Sequence, residues 1–192
     1  MRVSRDQVAK NRAAILRAAG RLFRERGCDA VSVAEVMKAA GLTHGGFYGH
    51  FRNKDDLVAQ ALAAAFEELG PGPADPAESA ALYLSDSHRA DVAGGCPIAA
   101  LASEAARLPG PARAEMTRAM RGRIERMAQT APGADEQARR QAAAAQWASM
   151  VGALVLARLS DDPALSDEIL EAARARFGPA GPAPQGVPAK AR

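Results

Sequence analysis

The chain is poor in the residues that build catalytic and covalently stapled proteins. It has two cysteines in 192 residues, Cys28 and Cys96, and no C-x-x-C pair. That excludes a disulfide framework and a zinc-ribbon pattern. Its three histidines are His44, His50 and His88. His44 and His50 are six apart, on different faces of any helix, so they cannot share a metal. G-x-S-x-G, G-x-x-x-x-G-K and H-E-x-x-H are all missing, which removes the common hydrolase, phosphate-cradle and zinc-protease patterns. No catalytic residue, metal ligand or cofactor site is therefore expected. The longest membrane-like run, Ala142 to Ala157, is rich in alanine and broken by Gln146 and Ser149, too short and too polar for a span. The N-terminus is basic but lacks the apolar core of a signal peptide. A cytoplasmic protein with no membrane partner is expected.

Aromatic residues are also scarce, at 4%, against 48% hydrophobic overall. Alanine supplies much of the difference. It is the best helix former and a poor strand former, so an all-α fold of closely packed helices is expected. Charge is unevenly spread. Residues 1–60 carry 11 Lys/Arg against 6 Asp/Glu, and the rest carries 14 against 16. A basic N-terminal segment on a near-neutral body points to a polyanionic partner.

Helical periodicity runs almost end to end. Val8, Ile15, Ala18, Leu22 and Phe23 stripe a first helix over Arg5–Arg26, stopped at Gly27. Ser32 and Glu35 form an S-x-x-E capping box for a short second helix. Thr43 is placed to cap a third short helix over His44–His50. Asn53 caps a fourth, with Asp55 and Asp56 in its first turn, where the helix dipole favours negative charge. Gly70-Pro71-Gly72-Pro73 ends it. Five further helices are expected near Pro76–Arg89, Pro97–Leu108, Pro111–Ala131, Asp135–Leu159 and Ser166–Phe177, making about nine. Residues 178–192, GPAGPAPQGVPAKAR, read as a disordered tail.

One stretch resists this pattern. THGGFYGHF, residues 43–51, puts three glycines among three aromatics. Each glycine costs a helix interior about 1 kcal/mol relative to alanine. Two short helices joined by a tight turn, behind a long basic helix, suggest a helix-turn-helix whose second member enters a major groove. There, glycine at Gly45, Gly46 and Gly49 strips side chains from a face that must approach DNA closely. Phe47 and Phe51, four apart, anchor the opposite side. Arg2, Arg5 and Arg12 are possible phosphate contacts, with Arg12 equally placed as a surface residue.

AAGRLFRERG at 18–27, SVAEVMKAAGL at 32–42, THGGFYGHF at 43–51 and NKDDL at 53–57 together resemble the DNA-binding domain of TetR-family transcriptional regulators. The resemblance covers residues 8–66. It implies an N-terminal three-helix, homeodomain-like DNA-binding domain over 1–52, with a connecting fourth helix over 53–70. A ligand-binding and dimerisation domain would follow over 71–177. It also implies a homodimer on a palindromic double-stranded operator, usually repressing until a small-molecule effector releases it. By the same resemblance Thr43 and Tyr48 sit where such regulators touch phosphate or base edges, His50 and Lys54 at phosphate contacts, and His44 at a variable base-reading position. With Ser32, Gly45 and Gly46 they complete the expected DNA-contacting set. The glycines at 46 and 49 depart from more typical members, which shifts the expected specificity toward backbone fit and DNA deformability.

The second half resembles the family only in general plan. Small residues spaced by four, Ala145 with Ser149 and Ala148 with Gly152, let helices approach closely. With Leu154, Val155, Ile169, Leu170 and Phe177 they mark an expected dimer interface, although burial within one protomer is the plainer alternative. Tyr83, His88, Cys96, Glu104, Met116, Met120, Trp147 and Met150 are the candidate lining of an effector pocket. Glu104 and Arg107 also fit a simple intrahelical ion pair. Cys96 precedes Pro97 at an expected helix start, where a dipole favours thiolate. That leaves two alternatives, a redox or electrophile sensor and a small buried packing residue. From other classes, a helical enzyme and an effector-free architectural DNA-binding protein compete. The size of the second half argues against the architectural protein.

Overall fold

The computed structural model describes residues 4–177; Arg2 and the tail from 178 lie outside the described residues. Among the described residues the fold is all-helical: α1 (Arg5–Arg26), α2 (Val33–Ala39), a 3-10 helix (His44–Gly49), α3 (Lys54–Leu69), α4 (Pro76–Tyr83), α5 (Asp86–Ala90), α6 (Pro97–Ala100), α7 (Gly110–Met127), α8 (Glu136–Leu159) and α9 (Pro163–Ala175).

The N-terminal elements form as their caps dictate. The Ser4 side chain accepts from the Gln7 amide at 3.1 Å and starts α1. Gly27 ends it at φ +88°, a conformation that favours glycine. Ile15, Ala19 and Phe23 on α1, Val36 and Met37 on α2, Phe47 and Phe51, and Leu57, Ala61 and Leu62 on α3 close a first core. Leu101, Leu108, Ala112 and Met116 from the second half complete it. A second core holds Leu84, Met127, Ala143, Trp147, Met150, Leu154 and Leu170. By length and composition α8 is apolar enough to cross a membrane. Its Ala143, Trp147, Met150, Ala153, Leu154 and Ala157 are instead buried in this core.

Four expectations need correction. The third short helix is 3-10 rather than α, and Thr43 makes no side-chain capping bond. Three glycines in six residues weaken an α-helical ladder, and a short 3-10 turn is the usual outcome. The helix expected over 76–89 is two, because Ser85 adopts extended φ/ψ and caps α5 by accepting from the His88 amide at 3.2 Å. The helix expected over 97–108 stops at Ala100. Leu101 and Leu108 are both drawn into the first core, and residues 101–107 follow them as turns. Finally, α9 starts at Pro163, not Ser166, because Asp162 is the cap. Ser166 is buried inside that helix and donates to the Ala157 carbonyl at 2.7 Å.

Candidate nucleic-acid interface

The surface built by α2 and the 3-10 helix is set from both ends. At the α2 start, Ser32 Oγ accepts from the Glu35 amide at 3.2 Å, and Glu35 Oε2 accepts from the Ser32 amide at 2.8 Å. The Ser32 amide and then the Ser32 hydroxyl, each donating to the carboxylate at 2.8 Å, and Arg26 at 2.9 Å hold the Glu35 carboxyl down at about 2. At the other end Gly41 turns the chain with φ +72° in open space, so its backbone, not crowding, requires glycine. The Leu42 amide then closes on the Met37 carbonyl at 2.9 Å.

The 3-10 helix has two unlike faces. Phe47 is 1% exposed and stacks on Phe51 with ring centroids 5.7 Å apart. Tyr48, its sequence neighbour, is 73% exposed and meets Phe47 edge-on at 5.2 Å. Thr43, His44, Gly45, Gly46 and Gly49 are exposed as well. Nothing within the protein demands these glycines. None of the three has positive φ. A Cβ at Gly45 or Gly49 would meet nothing within 4 Å, and at Gly46 only Met37 Cε at an ordinary 3.6 Å.

The next helix, α3, begins at Lys54. Asn53 Oδ1 accepts from the Asp56 amide at 2.9 Å. Asp56 accepts from the Arg52 amide at 3.0 Å and from Gln60 at 2.8 Å, which hold its carboxyl at about 2. Lys54 is half-buried and donates to the Asp29 carbonyl at 3.3 Å. His50 is half-buried, and its carbonyl accepts from Arg12 Nη1 at 2.7 Å. Arg12, for which the sequence left a phosphate contact and a surface residue open, is half-buried and turned to this carbonyl and to Gln60. Ser32 is exposed but engaged in its capping box.

In the second half the structure gathers some of the expected pocket residues and separates others. Tyr83, His88, Cys96, Trp147 and Met150 lie together in or against the second core. The Tyr83 ring meets His88 at 4.7 Å and Trp147 at 4.9 Å, both edge-on. His88 Nδ1 bonds the Tyr83 carbonyl at 2.7 Å, and His88 Nε2 accepts from the Cys96 amide at 3.1 Å. The ring is thus neutral with its proton on Nδ1, and burial lowers its pKa. Burial, then the adjacent Cys96, raises the Tyr83 phenol.

Two arginines gave little sign of themselves in the sequence. Arg158 donates to the His88 and Arg89 carbonyls at 2.5 and 3.1 Å. Arg123 lies 5.3 Å over the Trp147 ring. Burial lowers both guanidinium pKa values. Arg158 Nη1 and the Tyr83 hydroxyl are buried without a hydrogen-bond partner. The only signal for Arg158 in the sequence is a cation placed directly after the alanine-rich run Ala142–Ala157.

Glu104, Met116 and Met120 do not join this cluster. Met116 packs in the first core, and Met120 is half-buried on α7 outside both cores. Glu104 accepts from the Cys28 amide at 2.8 Å, while Arg107 reaches Asp29 at 4.0 Å. The expected Glu104–Arg107 pair is replaced by two contacts across the molecule, because residues 101–107 are not helical. Cys28 is buried, and its thiol is pushed up to about 12 by burial and then by Glu104. Cys96 precedes a helix of only four residues, too short to carry the dipole argument made for its thiol. Among the described residues no three His, Cys, Asp or Glu side chains converge as metal ligands.

The expected dimer residues also divide. Ala145, Ala148 and Ser149 are exposed, and Gly152, Val155, Ile169 and Phe177 are partly so. Leu154 and Leu170 are fully buried within the protomer and cannot meet a partner. The 3.6-residue period instead turns Leu156 and Leu159 outward, 57% and 75% exposed, beside Leu165 at 46%.

Two family models match the chain. One, described as bacterial regulatory proteins of the tetR family, covers residues 15–61. The other, a tetracyclin repressor-like C-terminal domain, covers residues 77–173, half of the chain by itself. The chain belongs to the TetR family of transcriptional regulators. That is a family of regulators, not of enzymes. Among curated TetR-family relatives, TtgR of Pseudomonas putida is 37% identical over 79 residues, 41% of this chain and 37% of that protein. AcrR of Shigella flexneri is 35% identical over 69 residues, 36% of this chain and 32% of that protein. The match thus spans about a third of these relatives' length. The fold extends further. The crystal structure of Escherichia coli NemR in its reduced form superposes with a TM-score of 0.71 at 23% identity, over 88% of this chain and 95% of that one.

Proposed function

We propose that this TetR-family chain is a cytoplasmic, homodimeric repressor that reads a palindromic operator through its 3-10 helix and releases it when a small molecule binds the second half. One observation carries the DNA reading. A glycine-faced helix, bare for no internal reason, presents Tyr48 to solvent directly above the buried Phe47–Phe51 anchor. Side chains absent from a surface allow close backbone approach, and duplex shape then contributes to specificity. Thr43, His44 and Tyr48 face the groove. Lys54 and His50 flank it as phosphate contacts, and Ser32 lies at its edge. The exposed Leu156, Leu159 and Leu165, continuous with Ala145, Ala148 and Ser149, form the partner-facing surface. Two recognition helices one duplex turn apart then match a two-fold site.

Selection of bound duplexes from a randomised pool, at two salt concentrations, tests this. A palindromic motif with affinity falling steeply in salt is the expected result. Recovery of no motif counts against sequence-specific recognition. Effector binding is tested separately by thermal shift with a compound library, since a ligand of the folded state raises Tm. An effector-free architectural protein would give a motif and no shift.

A second reading concerns the signal. Cys96 is 7% exposed and sits in the second core with Tyr83 and Trp147, its amide donating to His88 Nε2 at 3.1 Å. In this reading an oxidant or electrophile acts at Cys96 in place of a reversible ligand. DNA release by oxidant that survives Cys96→Ser unchanged removes it.

A further inference from the structure

A helix holding three glycines in six residues cannot keep its own shape, yet a reading helix must be placed to within a fraction of an ångström. Something outside it has to set its position. Arg12, on α1, makes three contacts just past the end of the 3-10 helix and on α3. Nη1 donates to the His50 carbonyl at 2.7 Å. Nη2 donates to Gln60 Oε1 on α3. The guanidinium carbon sits 4.8 Å from the centroid of the Phe51 ring. The His50 carbonyl belongs to the residue that caps the 3-10 helix, where a carbonyl has no partner inside the helix. A guanidinium is planar, and its rigid fork can serve two acceptors at a fixed angle.

The chain of bonds continues. Gln60 Nε2 donates to Asp56 Oδ1 at 2.8 Å, and Asp56 Oδ2 accepts from the Arg52 amide at 3.0 Å. α1, the end of the reading helix, the following loop and the first turns of α3 are thereby joined in one hydrogen-bonded network.

We infer that Arg12 is a positioning residue for DNA recognition. It clamps the C-terminal end of the 3-10 helix against α1 and α3, and so fixes how the Tyr48–His50 segment meets the duplex without itself touching phosphate. The inference rests on the DNA reading of that helix. It adds that sequence discrimination depends on a side chain that faces inward.

The test compares the full-length wild type with Arg12→Met, Arg12→Lys and Gln60→Met. Arg12→Met keeps the apolar stem but has no donor. Fluorescence anisotropy is measured on the selected operator and on a scrambled duplex, across a range of salt, well below each variant's Tm. The expected result for Arg12→Met is a loss of about tenfold on the operator, little change on the scrambled duplex, and an unchanged slope of log K against log salt. Gln60→Met should lose part of the same discrimination, and Arg12→Lys should restore part of what Arg12→Met loses. Equal losses on both duplexes, with a slope shallower by about one, would mean a phosphate contact and overturn the clamp. A lowered Tm with unchanged affinities would mean a stabilising residue only, and overturn it too. If the wild type itself prefers no duplex, the DNA reading fails along with the clamp. If it prefers the operator and Arg12→Met matches it, the clamp fails alone.

Discussion

The backbone amide of Cys28, just past the end of α1, donates to the carboxylate of Glu104, 76 residues away in the second half, at 2.8 Å. The segment that carries Glu104 also carries Arg107, which reaches Asp29. Upstream, the Ala93 carbonyl accepts from Arg24 at 2.5 Å. The N-terminal half is therefore held at its α1 terminus by residues 93–107.

Glu104→Ala leaves the part-buried Cys28 amide without its acceptor. A loss of about 1–3 kcal/mol in stability is expected, with Glu104→Gln closer to wild type because it keeps an acceptor oxygen. Urea denaturation of the three proteins checks this; equal midpoints would show that the bond contributes nothing net.

Alanine at Gly46 or Gly49 separates folding from recognition. Neither position has positive φ or a crowded Cβ site. Each change should leave stability unchanged or raise it by up to about 1 kcal/mol. Operator affinity should nevertheless fall, by about tenfold or more, because a methyl group stands between backbone and duplex. Tight binding by both variants would show that the bare face is not the contact surface.

Tyr48→Ala removes a side chain that is 73% exposed. Stability should move by less than about 0.5 kcal/mol, as for other exposed positions. Binding to the selected operator, read by anisotropy, should weaken clearly. His44→Ala should change which sequences are preferred more than how tightly DNA is bound, which a repeat of the duplex selection would reveal.

Glu35 and Asp56 are both held at about 2, below their ordinary values of 4.5 and 3.8. In the pH range between those limits the unfolded chain binds more protons than the folded one. Their contribution is therefore present above the ordinary carboxylate range and is lost as pH falls toward 2. Glu35→Gln should flatten the decline in urea midpoint over that window, leaving the Asp56 part. An identical decline in wild type and variant would show that the capping box is not a source of acid sensitivity.

Leu159→Glu, at a 75% exposed position, should shift sedimentation from dimer toward monomer without unfolding the protomer. Leu154→Ala, at a fully buried position on the same helix, should instead cost about 2–5 kcal/mol through cavity formation. Dimers that survive Leu159→Glu place the interface elsewhere.

Local chemistry made the N-terminal elements legible. The Ser32–Glu35 box, the Asn53 cap and the Gly27 stop act within a few residues, and α1 spans Arg5–Arg26 as expected. Some misses were local, at the glycine-rich 3-10 helix and at the Ser85 and Asp162 caps; the rest came from contacts distant in sequence. Leu101 and Leu108 are drawn toward a core built mostly by residues 15–62, which cuts α6 short. Leu154 sits on the same helix as the exposed Leu156, and small-residue spacing alone did not resolve which face turned inward. Arg12 read as surface charge because its acceptors, His50 and Gln60, are 38 and 48 residues away. The polar cluster in the second core was half legible. Tyr83, His88, Cys96 and Trp147 have chemistry that draws notice, whereas Arg123 and Arg158 gain theirs only from burial.

Residues 93–112 serve two interiors. Cys96 and Ala99 pack into the second core, while Leu101, Leu108 and Ala112 wall the first. The Gly/Pro break at 70–73 looks like a place to cut, but a fragment ending there would leave part of the first core open to water. Grafting residues 1–70 onto another regulator's body would carry over the reading head without its floor. A workable chimera must bring along the strip through Met116, or supply side chains of equal volume from its new host.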